Sequence, residues 1–266
     1  MSALEAFLLG MLQGLTEFLP VSSSGHIELG AHYLGIDSAD NLLFTVLVHG
    51  ATVLSTLIVF RKDIAQLLKG VLKWQYNEET RFVLYILVSM IPVGIVGVFY
   101  KDEVEALFTG KVLFVASMLM VTGFLLLATH YIKAQTQSGE LNYLKAFIIG
   151  LAQALAVLPG ISRSGATIAT GLLTGVRKEQ ATRFAFLMVI IPILGASLLE
   201  VIKIIENPAV TGSIPVSSLV VGFISALVFG ILACRWMINI VQKGNLKYFA
   251  FYCFAIATVV LIVEMF

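Results

Sequence analysis

Six stretches of this chain, at about 42–60, 82–100, 112–132, 183–203, 216–236 and 246–266, are apolar for long enough to cross a bilayer as helices. A hydrocarbon core of roughly 30 Å needs about 20 such residues. Inside it every backbone N–H and C=O must bond within its own segment, so helix is the form available to each. Two further apolar stretches, 3–35 and 143–175, differ from these six. Pro, Gly and Ser interrupt each in the middle, leaving arms too short to span. That pattern predicts a re-entrant helical hairpin, which dips into the membrane and returns to the same side. Composition agrees: 59% of the residues are hydrophobic, 12% are charged, and the mean hydropathy is +0.96. Soluble domains carry about 25% charged residues. The expectation is an all-α polytopic membrane protein forming one domain over 1–266. Its net charge of +1 shows no basic face for nucleic acid. No signal peptide is expected, because the first residues lack a basic region and a small-residue cleavage site. Cys234 and Cys253 fall in apolar segments and read as small core hydrophobes.

The two interrupted stretches match each other at a constant offset of 140. Leu4, Ala6, Phe7, Gly10, Gln13, Leu15, Ser22, Ser24, Gly25 and Gly35 recur as Leu144, Ala146, Phe147, Gly150, Gln153, Leu155, Ser162, Ser164, Gly165 and Gly175. A tandem duplication with repeats at approximately 1–132 and 143–266 is the simplest origin. With both hairpins re-entrant, thirteen of the 17 Lys and Arg fall on one side, Lys101, Lys111 and Lys203 on the other, and Arg163 inside. The rich side is expected to be cytoplasmic, with both termini outside. Three spans separate the hairpins, so they enter from opposite faces, as in an inverted-topology repeat.

The interruptions carry the chemistry. Pro20 and Pro159–Gly160 end one arm, and the serines after them are N-cap residues for the next. Each second arm then starts near the midplane with free N–H groups and the positive end of its dipole, which suits an anion. Arg163 adds a planar cation matched to phosphate oxygens, and Ser162, Ser164 and Thr167 add donors. On the first hairpin Gln13 and Glu17 share a helical face, and Ser23 and His26 lie one turn apart. A carboxylate, an amide, a hydroxyl and an imidazole facing an arginine make a phosphoryl-transfer set. Plainer readings exist: Ser22 and Ser24 as caps, Gln13 as a helix–helix hydrogen bond, Glu17 and Arg163 as an ion pair. His49 and His130 stand alone and read as structural. Ser23 as nucleophile with His26 as its base, and direct attack by His26, are both open at this point.

The motifs "QGLTEFLPVSSSGH" and "PGISRSGAT", with "RFAFLMVIIPILGAS" from Arg183 to Ser197, resemble those of the undecaprenyl-pyrophosphate phosphatase family of the bacitracin-resistance type. The resemblance covers essentially the whole chain. It implies an interdigitated inverted repeat with two re-entrant hairpins and hydrolysis of the terminal phosphate of undecaprenyl pyrophosphate. The reaction would recycle the lipid carrier at the outer side of the bacterial cytoplasmic membrane. By position it carries over Glu17, Ser23 and His26, then Ser162, Arg163, Ser164 and Thr167, with Gln13, Ser22 and Gly165 as further substrate contacts. Gln13 stands where many relatives have a glutamate, which leaves Glu17 as the expected ligand of a divalent cation, Mg2+ or Ca2+. The expected partners are a polyprenyl pyrophosphate lipid and the membrane, with a homodimer admitted and nucleic acid excluded. The phosphatidic-acid-phosphatase superfamily needs a second histidine after its Ser–Arg fragment, and no histidine follows Arg163. A transporter or flippase using the same anion site is the rival reading; it needs the clamp but not the nucleophile.

Overall fold

Pro, charge and glycine decide where each apolar run stops being one helix. The computed structural model describes residues 1–34, 42–100, 103–104, 106–107, 111–131, 139–206 and 214–265; Gly35, Lys101 and Lys133 lie outside them. The helices are α1 (Ala3–Phe18), α2 (Ser23–Leu34), α3 (Leu42–Val59), α4 (Arg61–Val71), α5 (Glu78–Phe99), α6 (Val112–Ala128), α7 (Tyr143–Leu155), α8 (Arg163–Leu173), α9 (Lys178–Met188), α10 (Ile190–Glu206), α11 (Val216–Lys243) and α12 (Lys247–Met265). Among the described residues the one bridge outside helices pairs Gly139 with Val176.

Among the described residues five stretches are long and apolar enough to cross a membrane: Glu78–Phe99, Val112–Tyr131, Lys178–Leu199, Val216–Lys243 and Lys247–Met265. The run expected at 42–60 is helix α3, and at its end the chain turns by 74° into α4, where Arg61, Lys62 and Asp63 bring charge that cannot continue into hydrocarbon. One expected span takes a different shape. The run expected at 183–203 starts earlier, at Lys178, and breaks at Val189. Pro192 explains the break: it has no N–H to bond the Met188 carbonyl, and its ring crowds that oxygen. Other ends move by local capping. Asn77 accepts from the Thr80 amide and starts α5 four residues before the expected 82. α11 runs past the expected 236 until Gly244 turns left-handed at φ 74°.

Small residues set the packing. Gly10 and Gly14 of α1 lie against Gly222, Ala226 and Gly230 of α11, and a Cβ on Gly14 would come within 2.6 Å of the Ala226 carbonyl oxygen. Close backbone approach through small residues at four-residue spacing is how helices associate in lipid. α7 lies equally close to α5, with Gly150 facing Ser89. Each hairpin's first arm therefore packs on a long helix from the other half of the chain. Between them α6 and α12 pack side by side, where Gly123 makes room for the Phe254 ring.

Outward, Leu87, Ile91, Ile95 and Val98 of α5, and Val220, Ile224, Val228 and Leu232 of α11, are about half exposed or more along one stripe each. An unbroken apolar stripe of that length is an aggregation surface in water and an ordinary surface in lipid. The protein is a multi-pass membrane protein.

Candidate active site

Two turns build the site. α1 ends at Phe18, and the chain passes Pro20 into Ser22, which adopts a left-handed φ of 70°. A serine there costs about 1–3 kcal/mol, and such residues concentrate at functional sites. The Ser22 hydroxyl accepts the Gly25 N–H at 3.2 Å and lies 3.4 Å from the Ser24 hydroxyl. The second turn, through Gly160 at φ 95°, ends on Ser162, whose hydroxyl accepts the Gly165 N–H at 3.1 Å and lies 3.3 Å from the Ser164 hydroxyl. Both turns thus start a helix with the same serine cap. The tips also touch reciprocally: a Cβ on Gly25 would meet Gly160 Cα at 3.1 Å, and one on Gly165 would meet Pro20 Cβ at 3.2 Å. Ser164 donates across the junction to the Leu19 carbonyl at 3.2 Å. From α6, buried Thr122 donates to the Gly160 carbonyl at 3.0 Å and accepts the Ser162 N–H at 2.9 Å, fixing the second turn.

Where the tips meet, polar groups converge on Glu17. Its Oε1 accepts from Arg163 Nη2 at 2.9 Å. Its Oε2 accepts from the Ser23 hydroxyl at 2.6 Å and from the Gln13 amide nitrogen at 3.1 Å. The carboxylate side chain is 7% exposed and the arginine 29%. A carboxylate at this depth is stable because it is paired with Arg163 and both of its oxygens accept hydrogen bonds, while the exposed part of the guanidinium is free for a second anion.

The remaining residues singled out in the sequence divide by position. Ser164 and Thr167 line a pocket with Glu17 and Arg163. Ser22, Ser162 and Gly165 spend their polar groups on the helix caps. Thr167 returns its hydroxyl to the carbonyls of Arg163 and Ser164. His26 does not bond Ser23: its Nδ1 lies 2.8 Å from the Ser22 carbonyl and its Nε2 lies 2.8 Å from the Tyr252 hydroxyl. Ser23 bonds the Glu17 carboxylate, and the expected Ser23–His26 pair is not in hydrogen-bond contact. Buried Gln13 keeps its Oε1 without a partner among the described residues.

The pocket also has walls not singled out one by one in the sequence, although Phe18, Ala185, Phe186, Val189 and Ile193 fall within the quoted motifs. Phe18, Thr52 and Thr56 line it from α1 and α3, and Ala185, Phe186, Val189 and Ile193 from the broken α9–α10 pair. The available signals were the threonines four apart in an apolar run and Pro192 just beyond Val189.

The family described as Bacitracin resistance protein BacA matches residues 6–259. The chain belongs to this family. Similar members include an undecaprenyl-diphosphatase of Bacteroides fragilis, 55% identical over 98% of this chain and 97% of that protein. An undecaprenyl-diphosphatase of Bacteroides thetaiotaomicron is 54% identical over the full length of both. One from Parabacteroides distasonis is 55% identical over 98% of each. The match spans both hairpins, so the whole site lies inside the family's shared region.

Proposed function

We propose that this chain is an undecaprenyl-diphosphatase, as its relatives are named: it hydrolyses undecaprenyl pyrophosphate to undecaprenyl phosphate and inorganic phosphate. The product returns to cell-wall polymer synthesis, with bacitracin resistance as a consequence. The observation that carries the reading is the Ser23 hydroxyl held on Glu17, beside a partly exposed Arg163.

In this reading the Ser23 oxygen attacks the terminal phosphorus while its proton passes to Glu17 Oε2. The bridging P–O bond breaks, and undecaprenyl phosphate leaves with the electron pair. Glu17 gives up its proton to solvent. Water then attacks the phosphoserine, phosphate departs, and the water's proton restores the Ser23 hydroxyl. Arg163 and the first amides of α2 and α8 neutralise phosphate charge without reorganising. His26 is the second proton-handling group, one turn along α2. Two oxygen donors are of the type a hard cation takes, a carboxylate on Glu17 and an unpartnered amide oxygen on Gln13, although among the described residues no group of three or more His, Cys, Asp or Glu is placed to hold a metal. These two would hold Mg2+ or Ca2+, which would supply further neutralisation of the pyrophosphate.

The architecture proposed is an inverted repeat, approximately 1–132 and 143–266, with six spans and re-entrant hairpins 3–35 and 143–175. The reciprocal contacts Gly25–Gly160 and Gly165–Pro20 support it, since both pairs exchange under the offset of 140. The lysine and arginine bias supports a cytoplasmic side at residues 61–81 with both termini outside, and the family resemblance implies a pocket facing the outer side of the bacterial cytoplasmic membrane.

The test is phosphate release from undecaprenyl pyrophosphate by the purified protein in detergent. A carrier of the same lipid would bind it and release no phosphate, which would defeat the proposal.

A further inference from the structure

His26 faces a helix that the proposed reaction has not used. The Ser22 carbonyl oxygen accepts the His26 amide N–H at 3.1 Å and lies 2.8 Å from Nδ1 of the same residue. A carbonyl oxygen can only accept, so Nδ1 carries a proton. The exchangeable nitrogen is then Nε2, which lies 2.8 Å from the Tyr252 hydroxyl on α12. The two rings are nearly parallel, 9° apart with centroids at 5.6 Å, in a stacked arrangement. Tyr252 is held at this place. The adjacent Cys253 thiol lies 3.8 Å from the Pro20 carbonyl oxygen, and further out Glu264 Oε1 accepts from Tyr33 at 3.1 Å and meets His32 Nε2 at 3.2 Å.

We propose that Tyr252 is a positioning residue for His26: its hydroxyl holds the imidazole with Nδ1 protonated and Nε2 as the one site of proton exchange. A phenol suits the task because it donates to a neutral Nε2 and accepts from a protonated one, so the ring keeps its orientation in both states. Phenylalanine keeps the ring and does neither. Tyr252 acts through His26. The inference rests on the role given to His26 in the proposed reaction.

A double-mutant cycle on the full-length protein in detergent tests it, with undecaprenyl pyrophosphate as substrate. Tyr252→Phe should lower kcat about tenfold and leave KM within about twofold, because orientation of a proton-handling group is lost and binding is not. In a His26→Ala background the same change should have no further effect. An unchanged kcat, or an equal loss in both backgrounds, overturns the inference. Full activity of His26→Ala alone contradicts the role of His26 on which it rests. Should Tyr252→Phe fail to fold, the ring 15N shifts of labelled histidine decide, assigned by their loss in His26→Ala. A protonated Nδ1 with an unprotonated Nε2 is expected, and a neutral ring protonated at Nε2 overturns the inference.

Discussion

The Ser23 hydroxyl lies 2.6 Å from Glu17 Oε2, a short contact between a hydroxyl on the second arm of the first hairpin and a carboxylate on its first arm. That length is typical of a charge-assisted O–H···O⁻ bond, in which the hydroxyl proton points at the carboxylate. On the other oxygen of the same carboxylate Arg163 brings in the second hairpin. One carboxylate therefore contacts both hairpins, and in the proposed reaction it joins the nucleophile, its base and the clamp.

Arg163→Lys keeps the charge and loses the planar fork. Turnover of undecaprenyl pyrophosphate should fall by a factor on the order of 10², the usual scale for losing one donor to developing charge. Steady-state phosphate release measures it, and near wild-type turnover would remove Arg163 from the clamp.

Glu17→Gln should abolish turnover and also the response to added Mg2+ or Ca2+, since both the base and the charged cation ligand are lost. Titrating the chelator-treated protein with either cation measures this. Activity that still rises with cation would place the metal elsewhere.

Thr122→Val leaves the Gly160 carbonyl and the Ser162 N–H buried without partners. Each lost bond is worth about 1–2 kcal/mol, so the unfolding midpoint in detergent should drop and turnover should fall with it. Thr122→Ser retains the hydroxyl and should behave close to wild type. Equal behaviour of the two variants would show that the hydroxyl does not fix the turn.

For sidedness, single cysteines can be placed on a background with buried Cys234 and Cys253 replaced by alanine. An impermeant thiol reagent applied to whole cells should label Met265→Cys and spare Gln75→Cys, both of which replace exposed residues. The reverse pattern would invert the proposed orientation.

Much of this was written in residue chemistry. Glu17 and Arg163 stand out because charges within apolar runs are expensive and need a reason, and the serines after Pro20 and Gly160 announce helix starts. Thr52 and Thr56 were not legible, because a threonine in an apolar helix ordinarily bonds its own preceding turn, as these do to His49 and Thr52. Tyr252 was hidden by the 226 residues that separate it from His26. The break at Val189 was announced by Pro192 but masked by unbroken hydrophobicity, which reports burial in lipid rather than helix continuity.

The most direct measurement is the chemical nature of the phosphoenzyme after acid quench of the protein turning over substrate labelled in its terminal phosphate. The expected label is stable to acid, lost in alkali and absent in Ser23→Ala, as a phosphoserine at Ser23 requires. An acid-labile label that persists in Ser23→Ala, or phosphate release with no labelled protein at any time, would contradict attack by Ser23.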